Sequence, residues 1–431
     1  MKLMRLRIAN CSRIADVDVE VRDNMVLIGP NGSGKTTVLL CLDMLLGMDD
    51  QRLRAAVSRD IVRDKSRPMT VEAVFGGFSE CELARFSNEI DEAGESALAV
   101  RLDVRSGGSD VDVVRGIRGC GSKKGAPQAR MGESPFQVDL PQGQPNVFGW
   151  ELLKTWAGAH EGSNILAIDE PEAHLHPSSQ RSLAKTLKAT KGQKILVTHS
   201  PTIAGSFEPD EIVVIRADGT AVQPREGFLS GDAGMLARWW IGRQLEPLTA
   251  GAVIAVEGPS DRVIVDKVAS ALGFDLDRHD VVVIETNGCG DMKVVESIFG
   301  GGGFDIPLYE LIDEDARESV ARRLGANPAN LESRDVFVSV ADLEDEYVRA
   351  IGARRLWDRM RESNTFSKSV FSLCETQPDG YPTDVSLAEF IREKSNRKIP
   401  SALVAARLID GENASAVRSV AKLLQAVSSA T

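Results

Sequence analysis

The chain has 431 residues, of which 42% are hydrophobic and 26% are charged, and its formal net charge is -12 at pH 7. This length exceeds what one ordinary hydrophobic core organises, so two or three domains are expected. The composition is that of a globular protein, and the apolar runs are far shorter than the ~20 residues that a membrane-spanning helix needs.

The N-terminal segment predicts strands rather than a targeting signal. MKLMRLRIANCSRIADVDVEV has basic residues near its start, but no apolar run follows them, so we expect no secretory signal. Its alternation predicts a strand, a turn and a second strand, and NMVLIG (24–29) predicts a third. A helix is expected from about Lys35 to Leu46, and CELARFSNEIDEAG (81–94) predicts another.

The middle of the chain changes character twice. Residues 106–145 are rich in Gly, Ser, Pro and charged residues, which predicts a long loop or a poorly ordered lobe. After it, the strands NILAID (164–169), KILVTH (194–199) and EIVVIR (211–216) alternate with helical stretches. This alternation is typical of a mainly parallel sheet.

A second alternating unit begins near Ala250. The strands AVIAVEG, DVVVIET and IPLYELID are separated by the helical stretches SDRVIVDKVASALG and KVVESIF. The tail from about residue 346 is helical and charged. We therefore predict an α/β protein with domains at 1–245 and 246–345, followed by a small helical region at 346–431.

A phosphate-binding loop is the clearest motif. GPNGSGKTT (29–37) matches G-x-x-x-x-G-K-[ST] between a predicted strand and a predicted helix. In such a loop, backbone N–H groups surround the phosphates, the lysine reaches the β- and γ-phosphates, and the hydroxyl after it binds Mg²⁺. The residues predicted to bind nucleotide are Gly29, Asn31, Gly32, Gly34, Lys35, Thr36, Thr37 and Asp169.

Two further strand ends complete the predicted ATP site. In NILAIDEPEAHLHP, the apolar strand delivers Asp169 as a second Mg²⁺ ligand and Glu170 as the group that polarises the attacking water. His199 ends another strand, where it can sense the γ-phosphate. A histidine at a strand end is often only structural, but the order of the three motifs favours the functional interpretation.

These three stretches together resemble the ATP-binding-cassette ATPases, in the branch that includes the SMC and RecF proteins. Lys35 and Asp169 lie too close in sequence to leave room for a long coiled-coil arm, which argues against an SMC protein. The signature segment of that family closes over ATP from a second subunit, and LPQGQPN (140–146) is the nearest candidate here. The resemblance therefore implies ATP binding and leaves ATP-driven dimer closure open.

Acidic residues follow the strands of the second unit. Glu257 ends one strand with Asp261 four residues later, Asp313 and Asp315 end another, and Glu344 follows a third. The ends of parallel strands meet at one sheet edge, so these carboxylates should converge there. Clustered carboxylates repel one another unless a cation neutralises them, and Mg²⁺ prefers such oxygen ligands. The alternative is a set of solvated loop acids in an acidic protein.

EGPSD, the glycine-rich turn TNGCGD and DED, in this order, resemble the Toprim domain of topoisomerases, primases and nucleases. An ATPase of this branch followed by Toprim resembles the OLD (overcoming lysogenization defect) family of nucleases. The resemblance implies that Glu257 and Asp261 serve one Mg²⁺ or Mn²⁺ ion and the general base, Asp313 and Asp315 the other ion, and Glu344 a supporting ligand. It also implies a lysine at the scissile phosphate, which we assign to Lys398 in preference to Arg397. In the glycine-rich turn, we interpret Cys289 as an incidental small hydrophobic residue rather than an oxidisable thiol.

The resemblance implies an ATPase and metal-dependent DNA endonuclease or nickase that functions in phage defence or DNA processing. The alternative is a RecF-like DNA-binding factor with a non-catalytic Toprim domain. A topoisomerase needs a nucleophilic tyrosine delivered by a separate domain. It is disfavoured because the chain has only Tyr309, Tyr347 and Tyr381, the first of them in a predicted buried strand. The implied partners are DNA, at least one further copy of the chain and a defence-system protein, with no membrane contact.

Charge and cysteine content qualify these expectations. An acidic protein repels DNA at long range. The chain nevertheless has basic stretches at 52–67, 115–130 and 349–361. Each of them is predicted to be either a solvated face or a DNA contact. The six cysteines lie far apart with no metal-binding spacing, which favours reduced thiols in the cytoplasm.

Overall fold

The computed structural model describes residues 2–78, 80, 97–107, 110–119, 138–139, 165–286 and 292–430. The chain divides into two compact units, which are described separately here. The first comprises Met1–Thr249 with Gly302–Phe304, and the second comprises Ala250–Gly301 with Asp305–Thr431. The helix expected at 81–94 lies outside the described residues.

The strands of the first unit form two sheets. They are β1 (Lys2–Cys11), β2 (Ile14–Glu20), β3 (Asn24–Ile28), β4 (Met69–Gly76), β5 (Leu98–Gly107), β6 (Asp110–Gly119), β7 (Val138–Asp139), β8 (Ile165–Asp169), β9 (Gln193–Val197), β10 (Ile212–Ile215) and β11 (Ala221–Val222). One sheet is antiparallel with the order β2-β1-β4-β5-β6. The other has the order β11-β10-β3-β9-β8-β7 and is parallel except at β11.

Burial follows from the position of each strand. In β4, MTVEAVFG, buried and half-buried residues alternate because one face packs on the core. In β9, QKILV, all residues are buried because helices or sheet cover both faces of a central parallel strand. The prediction of a loop from residue 106 is wrong for β6, since Asp110–Gly119 pairs with β5. Most of the remaining stretch to residue 145 lies outside the described residues.

Helices of the first unit connect these strands. They are α1 (Lys35–Leu42), continued by a π-helical turn at Asp43–Gly47, α2 (Asp50–Ala56), α3 (Pro177–Ala189), α4 (Pro201–Ala204) and α5 (Gly231–Ile241). The helix predicted from Lys35 to about Leu46 is therefore confirmed. Helix α1 follows β3 directly, so the phosphate-binding loop lies at the carboxyl end of a strand flanked by β10 and β9.

The second unit contains a four-stranded parallel sheet. Its strands are β12 (Ala252–Val256), β13 (Val281–Glu285), β14 (Leu308–Ile312) and β15 (Val336–Val338), in the order β13-β12-β14-β15. The helices are α6 (Pro259–Ala271), α7 (Met292–Phe299), α8 (Arg317–Leu324), α9 (Leu343–Ile351), α10 (Ala353–Glu362), α11 (Lys368–Phe371), α12 (Asp384–Arg392), α13 (Ser395–Ala405) and α14 (Arg418–Ala430).

The C-terminal helices share one core with this sheet. Buried apolar residues from β12, α6, α9, α12, α13 and α14 form a single cluster. The helical tail expected from the sequence is present, and it packs within the same compact unit as the sheet. In the described part of the chain, no helix is long and apolar enough to cross a membrane.

Candidate functional site

The phosphate-binding loop has a backbone that requires glycine. Gly29, Gly32 and Gly34 have φ values of +152°, +76° and +112°, which side chains rarely tolerate. A Cβ atom on Gly29 would lie 2.2 Å from the carbonyl oxygen of Ile215, so the close approach of the β10 backbone also excludes a side chain. The loop is therefore built to present its backbone, as the sequence motif predicts.

Lys35 is folded back onto the loop that carries it. Its Nζ donates to the carbonyl oxygens of Gly29 at 2.9 Å and Pro30 at 2.8 Å, and the residue is only 6% exposed. Burial lowers the pKa of Lys35, while the carboxylates of Glu170 and Asp169 oppose this effect. Both predicted carboxylates are thus close enough to act on the lysine electrostatically.

Asp169, Glu170 and His199 meet beside the loop. Burial raises the pKa of Asp169, and a hydrogen bond from the Thr36 hydroxyl opposes the rise. His199 Nε2 lies 3.8 Å from Glu170 Oε1, and both side chains are exposed. Glu170 has a left-handed backbone with φ +45°, a strained conformation of the kind found at functional sites. The structure therefore brings these predicted residues together; Asn31 is exposed and Thr37 half-buried on the same loop and helix.

A basic cleft lies beside the loop; Arg63 and Lys65 come from the basic stretch 52–67, whereas sequence reasoning missed Arg13. A cavity of about 410 Å³ is lined by Arg13, Arg63 and Lys65 together with Ser12, Asp60, Val62 and Ala217. The guanidinium Nη1 of Arg13 lies 3.8 Å from where a Cβ of Gly32 would stand. Arg13 belongs to the turn between β1 and β2, and no local motif links this turn to the loop.

The acidic residues of the second unit begin at the end of β12. Glu257 follows this strand directly and is half-buried, and Asp261 lies in the first turn of α6. Asp261 accepts hydrogen bonds from the backbone N–H of Gly258 at 3.0 Å and from the Ser260 hydroxyl at 3.2 Å. Burial, with repulsion from Glu344, raises the pKa of Asp261 to about 6.

Asp313 lies at the centre of this cluster. It follows β14, and its Oδ1 accepts a hydrogen bond from the N–H of Leu343 at 3.2 Å. Burial raises the pKa of Asp313 to about 8, with further contributions from Glu257, Glu344 and Asp261. Carboxylates from β12, β14 and the segment after β15 therefore converge, as the sheet topology predicts.

Lys398 is the basic member of the cluster. Its Nζ lies 3.2 Å from Oε1 of Glu344, which is 1% exposed, and this pair joins α9 to α13. Although burial alone would lower it, the ion pair with Glu344 raises the pKa of Lys398. Arg397 instead donates to the Phe390 carbonyl oxygen at 2.8 Å and stacks on the Phe390 ring. The geometry thus favours Lys398 over Arg397.

Asp315 differs from the other predicted residues. Asp313 and Asp315 are both predicted at the sheet edge, but β14 ends at Ile312 and Glu314–Ala316 forms a 3-10 turn. The alternation of side chains ends where the strand ends, so Asp315 is exposed on the turn, whereas Asp313 is half-buried.

The acidic cluster offers donor atoms that suit a divalent cation. Within the described ranges, no three Asp, Glu, His or Cys side chains are already arranged to hold a metal ion. The chemistry of the donors does fit, since they are hard oxygens with raised pKa values, and the buried Oε2 of Glu344 has no hydrogen-bond partner among the described residues.

Two predicted segments lie outside the described residues, namely the signature candidate at 140–146 and most of the glycine-rich turn, including Cys289.

The basic stretch at 349–361 is largely paired within the second unit. Arg354 contacts Asp379 at 2.7 Å, and Arg355 lies 3.6 Å from Asp410. That stretch therefore resembles a solvated, ion-paired face.

Comparison with known families supports the division into an ATPase and a Toprim region. A model described as "AAA ATPase domain" matches residues 146–204, and an AAA domain model matches residues 25–94. The model "Overcoming lysogenization defect protein-like, TOPRIM domain" matches residues 248–315. These matches cover the phosphate-binding loop, the strand ends at Asp169 and His199, and the acidic residues from Glu257 to Asp315.

A curated relative, the OLD nuclease of Thermus scotoductus, is 30% identical over 169 residues, which is 36% of this chain and 31% of that protein. The match thus spans less than a third of the relative's length. Among solved structures, the C-terminal region of the Burkholderia pseudomallei OLD protein is 21% identical, with 42% of this chain and 98% of that chain covered and a TM-score of 0.34. The SMC head domain from Thermotoga maritima is 14% identical, with coverages of 52% and 100% and a TM-score of 0.34. The family matches confirm the resemblance predicted from the motifs: the chain joins an AAA-type ATPase domain to an OLD-like Toprim domain.

Proposed function

We propose that this protein is an ATP-hydrolysing, Mg²⁺- or Mn²⁺-dependent DNA endonuclease or nickase of the OLD type. The observation that carries the proposal is the cluster of half-buried Glu257, Asp261 and Asp313 with buried Glu344 and half-buried Lys398 at one edge of a parallel sheet. Burying several carboxylates together is costly unless a cation or a phosphate-bound cation joins them.

In this proposal, each residue of the cluster has a distinct task. Divalent cations held by Asp261, Asp313 and Glu344, with Asp315 at the exposed side, would supply the positive charge that phosphodiester cleavage requires. Glu257 serves as a ligand and as the base that takes a proton from the attacking water. Lys398 is placed to neutralise a phosphate oxygen, and its pair with Glu344 keeps the ammonium group at the site.

The ATP site has a separate set of tasks. Lys35 exchanges its bonds to the loop carbonyls for phosphate oxygens, and Thr36 and Asp169 hold Mg²⁺. Glu170 polarises the attacking water, and His199 contacts the γ-phosphate. The cleft lined by Arg13, next to Gly32, offers cationic groups to the remainder of the nucleotide. ATP would govern the shape of the protein or its access to DNA, while the Toprim cluster performs the cut.

A basic cleft on the second unit supports DNA as the substrate. The cleft, of about 370 Å³, is lined by Lys293, Ser319, Arg322 and Arg323. Arg323 is paired with Glu310 at 2.8 Å, whereas Lys293 and Arg322 have no carboxylate partner among the described residues. Unpaired cations on the same unit as the acidic cluster suit phosphates of a bound strand.

The type of ATPase and the state of the cysteines indicate a biological setting. ATPases of this type act as dimers or larger assemblies, so we propose a homo-oligomer, with a defence-system protein as a further partner. The described cysteines, Cys11, Cys41 and Cys374, are free thiols, which supports a reducing cytoplasm.

The test is cleavage of supercoiled plasmid by purified protein in Mg²⁺ or Mn²⁺, with and without ATP. Asp313→Asn should abolish nicking, and the nearby exposed Asp315→Asn should reduce it less. Lys35→Ala should abolish ATP hydrolysis and show how nucleotide governs the cut. If the parent protein hydrolyses ATP and binds DNA but never cuts, the nuclease proposal fails and the DNA-binding alternative replaces it.

A further inference from the structure

A buried glutamate that none of the assigned tasks uses lies between the two catalytic turns of the ATP site. Glu172 is 9% exposed, and it lies two residues after Glu170. Its Oε1 accepts three hydrogen bonds: from the Thr198 hydroxyl at 2.8 Å, the His199 backbone N–H at 2.6 Å and the Ser200 backbone N–H at 3.1 Å. One carboxylate oxygen therefore binds three consecutive residues of the turn that carries His199.

The hydrogen bonds continue beyond this turn. The Ser200 hydroxyl donates to the side-chain oxygen of Gln180 at 2.7 Å, and the Gln180 amide donates to the carbonyl oxygen of Leu175 at 3.0 Å. Leu175 and Glu172 belong to the same segment after β8, and the N–H of Leu175 donates to the Glu172 carbonyl oxygen at 2.9 Å. The network thus closes on itself and ties the turn after β9 to the turn after β8.

We propose that Glu172 is a positioning residue of the ATPase, which sets the distance between His199 and Glu170. The inference rests on the proposed ATP hydrolysis. Hydrogen bonds to a buried carboxylate are short and strong, so the His199 backbone follows Glu172 when the turn after β8 moves. Glu170 and His199 are 3.8 Å apart at Oε1 and Nε2, and both would contact the same end of the nucleotide. A shift at either turn is thereby transmitted to the other.

A purely structural role predicts a different result. The second oxygen of Glu172, Oε2, is buried without a hydrogen-bond partner among the described residues, so substitutions at Glu172 change stability for more than one reason. Stability alone therefore does not distinguish the two roles. A positioning role acts through His199, so its effect on catalysis must disappear when the His199 imidazole is removed.

The experiment compares ATP hydrolysis and ATP binding by Glu172→Ala, His199→Ala and the double variant, all in the full chain. We expect Glu172→Ala to lower kcat by about 10-fold to 100-fold, the loss that a misplacement near 1 Å causes, with a smaller change in KM. The double variant should hydrolyse ATP no more slowly than His199→Ala. Glu172→Gln should recover most of kcat, because its amide oxygen can accept from the same donors.

A milder variant protects the test against misfolding. Thr198→Val keeps the side-chain volume and removes one donor to Glu172, so we expect a smaller loss of kcat that also vanishes in the His199→Ala background. Multiplicative losses in the double variants, or a Glu172→Gln enzyme as slow as Glu172→Ala, would overturn the positioning role. Failure of the ATPase proposal itself would appear separately, as hydrolysis that Lys35→Ala leaves unchanged.

Discussion

Replacing Asp313 with asparagine should stabilise the metal-free protein while abolishing cleavage. Burial and the surrounding carboxylates raise the pKa of Asp313 from 3.8 to about 8. Between these two pH values the folded protein holds a proton that the unfolded chain has lost, so the stability contributed by Asp313 falls as the pH rises through this window. Asparagine has no charge to repel and keeps an oxygen that can accept from Leu343 N–H.

The size of the effect follows from the pKa shift. Each pKa unit corresponds to about 1.4 kcal/mol, so about four units set an upper bound of about 6 kcal/mol at pH 8.5. Relaxation of the site and entry of water reduce this cost, and we expect a gain of about 2 kcal/mol in the free energy of unfolding of the second unit. At pH 6, about halfway through the window, the gain from Asp313→Asn should be about half as large.

The assay is thermal and urea unfolding in EDTA at several pH values from 6 to 8.5. Asp315→Asn is the matched control, because Asp315 is exposed two residues away and should give little gain at any pH. Adding Mn²⁺ should stabilise the parent protein more than Asp313→Asn, since a ligand that binds only the folded state raises its stability. A gain that does not depend on pH, or an equal gain for Asp315→Asn, would refute the reasoning.

Four further outcomes are expected. Lys398→Met should abolish plasmid nicking. It should also lower the free energy of unfolding, measured by urea titration at neutral pH, by about 3 kcal/mol, because Glu344 is left buried and unpaired. Adding Glu344→Gln should recover this stability but not the nicking activity. Tyr347→Phe should raise the free energy of unfolding by about 1 kcal/mol, because the Tyr347 hydroxyl is buried without a hydrogen-bond partner among the described residues. Gly29→Ala should abolish ATP binding measured by calorimetry, because its Cβ would collide with the backbone. Arg322→Ala should weaken DNA binding measured in Ca²⁺ and lower its salt dependence by about one phosphate contact.

Sequence reasoning found the parts of the site that are formed by residues contiguous in the chain. The loop at 29–37 carries its own glycines, and Asp169 and Asp313 each follow an apolar strand whose end marks the sheet edge. Such local patterns predict position because strand direction and sheet topology bring the strand ends to one place. No local motif marks the lysine that is predicted at the site beyond the acidic motifs. In the structure, Lys398 contacts Glu344.

The parts that were missed depend on contacts between distant segments. Arg13 reaches the phosphate-binding loop because β1 and β2 turn beside it, and no spacing rule encodes that approach. Glu172 lies within the motif that follows β8, but its role depends on hydrogen bonds to the turn at Thr198, which follows β9. Asp315 is predicted at the sheet edge with Asp313, but the strand ends at Ile312 and Asp315 lies on the 3-10 turn that follows.

Two glutamates on α9 show why the acidic cluster is interpreted as a site rather than as a buried acidic patch. Glu346 is 3% exposed, and both its oxygens are satisfied: Oε1 accepts from the Val340 N–H, and Oε2 accepts from the N–H and hydroxyl of Ser419. Glu344, two residues earlier and 1% exposed, has one oxygen paired with Lys398 and the other left without a partner among the described residues. The same helix can therefore satisfy a buried carboxylate fully. A buried oxygen left unsatisfied costs about 1–3 kcal/mol, and proteins tolerate that cost mainly where a ligand supplies the missing partner. By this comparison Glu346 anchors the last helix, whereas Glu344 keeps an unpaired oxygen for the cation that we propose at the cluster.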